Sequence, residues 1–97
     1  MNLLDANDQP GQYPPSWYAA TTQFLPPFPS FDGTDNTDIC IIGAGYTGLS
    51  AALHLAEQGC RVTLLEAQRV GFGASGRNGG QLGSGQRLDQ ETLLRWL

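Results

Sequence analysis

"DICIIGAGYTGLSAALHLAEQGCRVTLLE", residues 38–66, decides the fold of this chain of 97 residues. Residues 38–42 are a short apolar, β-branched run between Asp and Gly, which is typical of a buried strand. In residues 46–59 apolar side chains recur at helical spacing and the pattern stops at Gly59, as helices often do. Residues 60–66 form a second β-branched and apolar run. This order predicts an α/β fold with a βαβ unit, whose two strands are parallel and joined by a right-handed crossover.

A GxGxxG motif, formed by Gly43, Gly45 and Gly48, lies between the first predicted strand and the helix. The first glycine permits a tight turn, the second lets a pyrophosphate approach the backbone, and the third lets the helix pack closely. The N–H groups and the partial positive charge of the helix start would hold the phosphates. Glu66, which ends the second strand, would accept hydrogen bonds from ribose hydroxyls and repel a 2′-phosphate, so FAD or NAD is favoured over NADP. The alternative is a tight turn without a ligand, with Glu66 a solvated strand end.

The stretch "GFGASGRNGGQLGSG", residues 71–85, is rich in glycine. Ser75, Arg77 and Asn78 offer hydrogen-bond donors there, and the neighbouring glycines remove side chains that would block a close approach. Such a loop suits a ligand longer than one mononucleotide. The alternative is a flexible linker, as Gly and Ser content alone would indicate.

Composition excludes several classes of function. Five arginines and no lysine stand against nine acidic residues, giving a net charge of -4, so a surface for nucleic acid or anionic membranes is not expected. Cys40 and Cys60 form no CxxC motif, so we expect structural roles for both. No cluster of side chains has metal-ligand spacing, so we expect no metal site. We find no signal peptide and no membrane-spanning run, and we expect a cytoplasmic protein.

Two further segments flank the βαβ unit. Residues 1–36 hold all six prolines and most of the aromatic residues, which predicts an arm that packs on the rest of the protein, with a short helix capped by Ser16. Residues 37–97 would begin a dinucleotide-binding domain, and Asp89 would cap a helix within residues 88–97. Since two strands and one helix do not cover both faces of a parallel sheet, we expect the sheet to be incomplete in this chain, which would be the opening segment of a larger protein.

Residues 38–82, "DICIIGAGYTGLSAALHLAEQGCRVTLLEAQRVGFGASGRNGGQL", resemble the FAD-binding start of the D-amino-acid oxidase-like flavoprotein superfamily. The run "EAQRVGFGASGRNGGQ", together with "SWYAAT" upstream, is most similar to the gamma-glutamylputrescine oxidase branch. The resemblance implies a Rossmann-like FAD-binding domain. It implies that the FAD pyrophosphate is bound by Gly43, Ala44, Gly45, Tyr46, Thr47 and Gly48, and the adenosine ribose by Glu66. The segment implied to run toward the isoalloxazine comprises Ser75, Gly76, Arg77, Asn78, Gly79, Gly80 and Gln81.

The resemblance also implies an activity. A small-molecule amine or amino acid, with gamma-glutamylputrescine as one candidate, would be oxidised by hydride transfer to flavin, followed by imine hydrolysis and reoxidation by oxygen. No histidine lies in the glycine-rich stretch, so covalent flavin attachment there is not expected. Catalytic residues are expected outside this chain, which alone would be inactive, and nothing indicates an oligomeric state. The alternatives are an NAD-dependent dehydrogenase and a non-catalytic or truncated dinucleotide-binding module.

Overall fold

The βαβ unit is present, with shorter elements than the sequence predicted. The computed structural model describes residues 6, 8–83, 85 and 87–96. Strand β1 is Ile39–Ile42, helix α2 is Tyr46–Glu57 and strand β2 is Val62–Leu65, and a short helix α1, Trp17–Thr21, precedes them. Helix α2 ends where Gly59, at a φ of +88°, takes the left-handed conformation that terminates helices. The fold is therefore a small α/β unit of the Rossmann type.

The two strands are parallel. Ile39 is opposite Val62, and the register continues to Ile42 opposite Leu65. At the amino ends of both strands, the Arg61 N–H donates to the Asp38 carboxylate at 2.8 Å and the Arg61 guanidinium pairs with the same carboxylate at 3.0 Å. The carboxyl ends lie at the opposite edge, where the polar loops begin.

One face of the sheet is covered by α2. Ile41 faces that helix, since its Cγ2 atom lies 3.4 Å from the Cβ position that a side chain at Gly48 would occupy. Cys40 and Ile42 alternate with Ile41 and so face the other way, where both are exposed. The prediction that one helix covers only part of the sheet is thus confirmed. Cys40 was expected in the core of a buried strand, and it is exposed instead.

Both predicted helix caps are present. The Ser16 hydroxyl accepts from the Ala19 N–H at 3.1 Å, and the Asp89 carboxylate accepts from the Thr92 N–H at 2.8 Å. The latter begins helix α3, Gln90–Leu94, which has Arg95 as its C-cap and is shorter than the predicted segment 88–97; Leu97 lies outside the described part of the chain. No helix within the described residues has the length and apolarity needed to cross a bilayer.

Candidate functional site

The first glycine loop, Gly43–Gly48, joins β1 to α2 with a backbone that few other residues would permit. Gly43 has a φ of +103°, a conformation that side chains disfavour, and its N–H donates to the Leu65 carbonyl at 2.7 Å. A Cβ atom at Gly48 would overlap the carbonyl oxygen of Gly43. The third glycine of the motif therefore lets the helix turn back over the loop itself, and Ile41 below it adds a second close contact.

Helix α2 presents unpaired donors at its start. The N–H of Tyr46 donates to the Ser75 hydroxyl at 2.9 Å. The N–H groups of Gly45, Thr47 and Gly48 have no hydrogen-bond partner within the part of the chain that the structure describes. No acidic side chain of the helix itself lies in the first turn, and the carboxylate of Glu66 accepts from the Ala44 N–H just before the helix. This geometry suits an anion such as a phosphate.

Glu66 lies directly beside the first glycine loop. Its Oε2 atom accepts from the Ala44 N–H at 2.8 Å, and its Oε1 atom accepts from the Gln68 N–H at 3.0 Å. Ala44 itself is fully buried, with 0% of its surface exposed. A carboxylate offers about four lone-pair positions, so both oxygens of this half-buried group keep capacity for a ligand hydroxyl.

Beside Glu66 lies a cleft of about 500 Å³ between the arm, α2 and the end of β2. Its apolar walls include Leu49 and Ala52 of the helix and Phe28 and Phe31 of the arm. A cleft of this size is within the range that small ligands occupy. The carboxylate of Glu66 therefore stands at the border of a largely apolar cleft, which is a suitable arrangement for a group with a planar ring and a sugar.

The second glycine loop, Gly71–Gly80, is fixed to the first. The Gly71 N–H donates to the Ala44 carbonyl at 2.8 Å, and Gly71 has a φ of +70°. A short 3₁₀ turn, Ala74–Gly76, follows, and a Cβ atom at Gly76 would overlap the carbonyl oxygen of Gly71. These contacts favour a shaped loop over the flexible-linker alternative for its first ten residues.

Gly45 and Ser75 connect the two loops. A Cβ atom at Gly45 would lie 2.9 Å from the Ser75 Oγ atom, which is too close for a side chain. The sequence predicted that Gly45 admits a pyrophosphate, and in the structure it admits the Ser75 hydroxyl. Ser75 thus stands at the start of α2, among the donors expected to hold an anion.

Arg77 and Asn78 use their side chains to shape the second loop. The Asn78 amide donates to the carbonyls of Ala74 and Ser75 at 3.0 and 2.9 Å and accepts from the Gly80 N–H at 2.9 Å. Arg77 donates from Nε to the Phe72 carbonyl at 2.8 Å and pairs with Asp8 at 2.8 Å. These contacts explain why both residues occur among glycines, while ligand contacts of theirs, and those of the exposed Gly79, Gly80 and Gln81, stay predictions. Ser84, within the same stretch, lies outside the described residues.

Sequence reasoning missed two residues that support this site. Tyr13 of the arm donates from its hydroxyl to the Val70 carbonyl at 2.7 Å, and the Arg69 guanidinium lies 5.0 Å from the Tyr13 ring. The aromatic density of the arm was the available signal, and it predicted packing without naming the partner.

Known proteins share much of this sequence. A family model described as "DAO: FAD dependent oxidoreductase" matches residues 38–97. The chain is 51% identical over 78 residues to the Escherichia coli (strain K12) protein named gamma-glutamylputrescine oxidoreductase, covering 80% of this chain and 18% of that protein. It is 58% identical over 73 residues to the probable oxidoreductase OrdL of Rhizobium meliloti (strain 1021), covering 75% of this chain and 17% of that protein.

A third relative carries a different name. A protein of Escherichia coli (strain K12) named as part of an anaerobic glycerol-3-phosphate dehydrogenase is 44% identical over 54 residues, covering 56% of this chain and 10% of that protein. The chain thus spans less than a fifth of the length of these relatives. No solved structure matches it.

Proposed function

The chain belongs to the DAO family of FAD-dependent oxidoreductases, and on that premise we propose that it supplies the FAD-binding start of an enzyme that oxidises an amine or amino acid. The GxGxxG motif and Glu66 alone permit either FAD or NAD, and the family match selects FAD. The observation that supports the residue assignment is a single junction. At the carboxyl edge of the sheet, Ala44 of the first glycine loop is hydrogen-bonded to Glu66 and to Gly71 of the second glycine loop, and Tyr46 at the start of α2 is hydrogen-bonded to Ser75.

In this proposal the start of α2 binds the pyrophosphate. The open N–H groups of Gly45, Thr47 and Gly48 point to an anion at the helix end, where one favourable contact stabilises a negative charge by roughly 0.3 to 2 kcal/mol. Ser75 adds a hydroxyl beside them, at 2.9 Å from the Tyr46 nitrogen. Because Gly45 has no Cβ atom, this hydroxyl can lie beside the helix start, next to the open N–H groups.

Glu66 and the cleft beside it would bind the adenosine half. The carboxylate accepts hydrogen bonds from ribose hydroxyls while it keeps its two backbone partners, Ala44 and Gln68. The adenine would lie against the apolar walls formed by α2 and the arm. The negative charge disfavours a 2′-phosphate at the same place, which supports a cofactor without one.

The second glycine loop would then run from the pyrophosphate toward the flavin ring. FAD, when bound, supplies the ring system that accepts a hydride from the substrate. Gly79 and Gly80 are exposed, and no described residue lies within 4 Å of their Cβ positions, so the bare backbone permits a close approach by that ring. The chain's own part is to bind and orient the cofactor, and we assign no acid or base for catalysis to it.

The proposed substrate class follows from the degree of similarity. The alignment to the relative named gamma-glutamylputrescine oxidoreductase is longer and of higher identity than the alignment to the glycerol-3-phosphate dehydrogenase. A substrate bearing an oxidisable carbon–nitrogen bond is therefore favoured over an alcohol. Gamma-glutamylputrescine is the first compound to test, and glycerol 3-phosphate is the matched comparison.

The experiment uses the full-length protein, since this chain spans less than a fifth of its relatives' length, and begins with its absorption spectrum, for which we expect flavin bands at about 380 and 450 nm. Glu66→Gln keeps the side-chain size but replaces the carboxylate, which accepts from the N–H groups of Ala44 and Gln68, with a neutral amide. We expect FAD binding to weaken by roughly 1.5–3 kcal/mol, about tenfold or more in Kd, because a hydrogen-bonded charge is lost.

Glu57→Gln is the control, since Glu57 is an exposed residue at the end of α2. Equal FAD affinity in the two variants would reject the role of Glu66, and a colourless protein that binds NAD would reject the proposal. With flavin present, hydrogen peroxide released with gamma-glutamylputrescine supports an amine oxidase, and turnover of glycerol 3-phosphate alone contradicts the substrate class.

A further inference from the structure

Polar contacts join the arm to the segment just after Glu66, although the contacting residues are far apart in the sequence. The Gly11 N–H donates to Gln68 Oε1 at 2.6 Å, and Arg69 donates from Nη2 to the Leu25 carbonyl at 2.8 Å. Farther along, the Asp8 carboxylate pairs with Arg77 at 2.8 Å. The arm therefore contacts the chain on both sides of Gly71, where the second glycine loop begins.

Tyr13 stands at the centre of these contacts. Its ring is stacked on Phe24, with centroids 3.8 Å apart and planes inclined by 11°, and it lies 6.5 Å from the Phe72 ring. The Arg69 guanidinium lies over the same ring at 5.0 Å. Because Tyr13 and Arg69 are both half-buried, their cation–π contact is partly shielded from water, which strengthens it.

A single peptide unit, Val70–Gly71, is hydrogen-bonded both to the arm and to the first glycine loop. The carbonyl of Val70 accepts from the Tyr13 hydroxyl at 2.7 Å, and the N–H of Gly71, in the same planar peptide unit, donates to the Ala44 carbonyl at 2.8 Å. One side of this peptide is held by the arm and the other by the first glycine loop. The orientation of the peptide sets where the chain enters the turn that carries Ser75.

We propose that Tyr13 and Arg69 are positioning residues for the cofactor, acting through the Val70–Gly71 peptide to place the second glycine loop against the start of α2. This inference rests on the proposed FAD site and adds the arm to it. Tyr13 acts by its hydroxyl hydrogen bond, and Arg69 acts by holding the Tyr13 ring and the Leu25 carbonyl together. The arm is then a part of the binding apparatus, and both residues also line the cleft proposed for the adenosine half.

Tyr13→Phe tests the hydroxyl alone, since phenylalanine preserves the stacking on Phe24. We expect FAD to bind about threefold to tenfold more weakly, as the loss of one hydrogen bond predicts. The visible circular dichroism of the flavin should change as well, because the loop beside the ring is displaced, in addition to a small fall in the thermal unfolding midpoint from the lost hydrogen bond. A merely structural role would change the midpoint and leave the flavin signal of the folded protein as it was.

Tyr18→Phe is the matched control, because Tyr18 lies in the same arm, is 53% exposed and has no hydroxyl partner among the described residues. Arg69→Lys keeps the charge but removes the planar group, and Arg95→Lys is its control on an arginine that is 74% exposed. We expect Arg69→Lys to weaken FAD binding about as much as Tyr13→Phe, and the double variant to be less than additive, since both act through one peptide.

Hydrogen exchange of the Gly71 amide, followed by NMR without added FAD, separates this inference from the proposed function. We expect faster exchange in Tyr13→Phe than in Tyr18→Phe, and this result is independent of whether FAD binds. If the wild type binds no FAD, the proposed function fails whatever the exchange shows. If the wild type binds FAD and Tyr13→Phe leaves either the exchange rate or the FAD affinity at the control value, the positioning role is overturned.

Discussion

The two glycine loops of this chain are built on the same local geometry and held in different ways. Each begins with a glycine at positive φ, Gly43 at +103° and Gly71 at +70°. In each, the carbonyl oxygen of that glycine occupies the space of a Cβ atom on the glycine five positions later, Gly48 or Gly76. The repeated geometry brings the backbone of both loops close to itself, and in the first loop it accompanies N–H groups that have no partner among the described residues.

Their supports differ. The first loop lies between a strand and a helix of twelve residues, and the Gly43 N–H is bonded to the end of the neighbouring strand. The second surrounds a turn of three residues and is held by the side chains of Arg77 and Asn78 and by the arm. Secondary structure therefore fixes the first loop, and tertiary contacts fix the second. Identical glycine substitutions should consequently give unequal costs in stability.

Gly48→Ala should have the largest effect. The new methyl group overlaps the Gly43 carbonyl, and neither the strand nor the helix can move away without losing its packing. We expect a loss of about 1–3 kcal/mol in the free energy of unfolding, together with loss of FAD binding. Urea unfolding and FAD titration measure both. Gly85→Ala is the control, because none of the described residues lies near its Cβ position and its φ is not positive. Equal results for the two variants would contradict the overlap.

Gly76→Ala should have a smaller effect on stability and a comparable effect on FAD. Its methyl group overlaps the Gly71 carbonyl, but the exposed turn can shift at a cost below about 1 kcal/mol, since loops of this kind open locally. FAD affinity should still fall because the shift displaces Ser75. The same urea and FAD measurements apply. A stability loss as large as that of Gly48→Ala would show that the two loops are equally rigid and would break the comparison.

The first loop could be predicted from the sequence because its determinants are local. Apolar periodicity gave both strands and the helix, and the ends moved inward by only one or two residues, to Ile39–Ile42, Tyr46–Glu57 and Val62–Leu65. The glycine spacing and Glu66 identified the residues that meet at the edge of the sheet. The family match then selected FAD from the two dinucleotides that these residues permit.

The supports of the second loop could not be predicted, because they join residues far apart in sequence. The sequence shows that Arg77 and Asn78 are donors but not that carbonyls of Phe72, Ala74 and Ser75 would accept from them. The hydrogen bond from Tyr13 to Val70 spans 57 positions, and no periodicity encodes such a contact. Only the aromatic content of the arm indicated that it packs somewhere.

The smallest effect is expected for a substitution at the amino ends of the strands, opposite both loops. There the Arg61 side chain, and then the Arg61 backbone N–H, hold the pKa of Asp38 below its usual value of 3.8 by hydrogen bonding. A lowered pKa means that the charged form stabilises the folded state above about pH 3.8, and that this contribution is lost as the pH falls through the lower folded-state pKa. Asp38→Asn should remove this pH dependence and reduce stability slightly at neutral pH, since the pair is exposed.

Urea midpoints of the wild type, Asp38→Asn and the exposed control Asp32→Asn, measured from neutral pH down to pH below 3.8, test this expectation. The gap between wild type and Asp38→Asn should narrow with acid, while Asp32→Asn follows the wild type. FAD affinity at neutral pH should be the same in all three proteins, because the Asp38–Arg61 pair is at the amino ends of the strands and both glycine loops are at the carboxyl ends. A weaker FAD affinity in Asp38→Asn would mean that the βαβ unit moves as a whole, and the first loop would then depend on contacts beyond its own strand and helix.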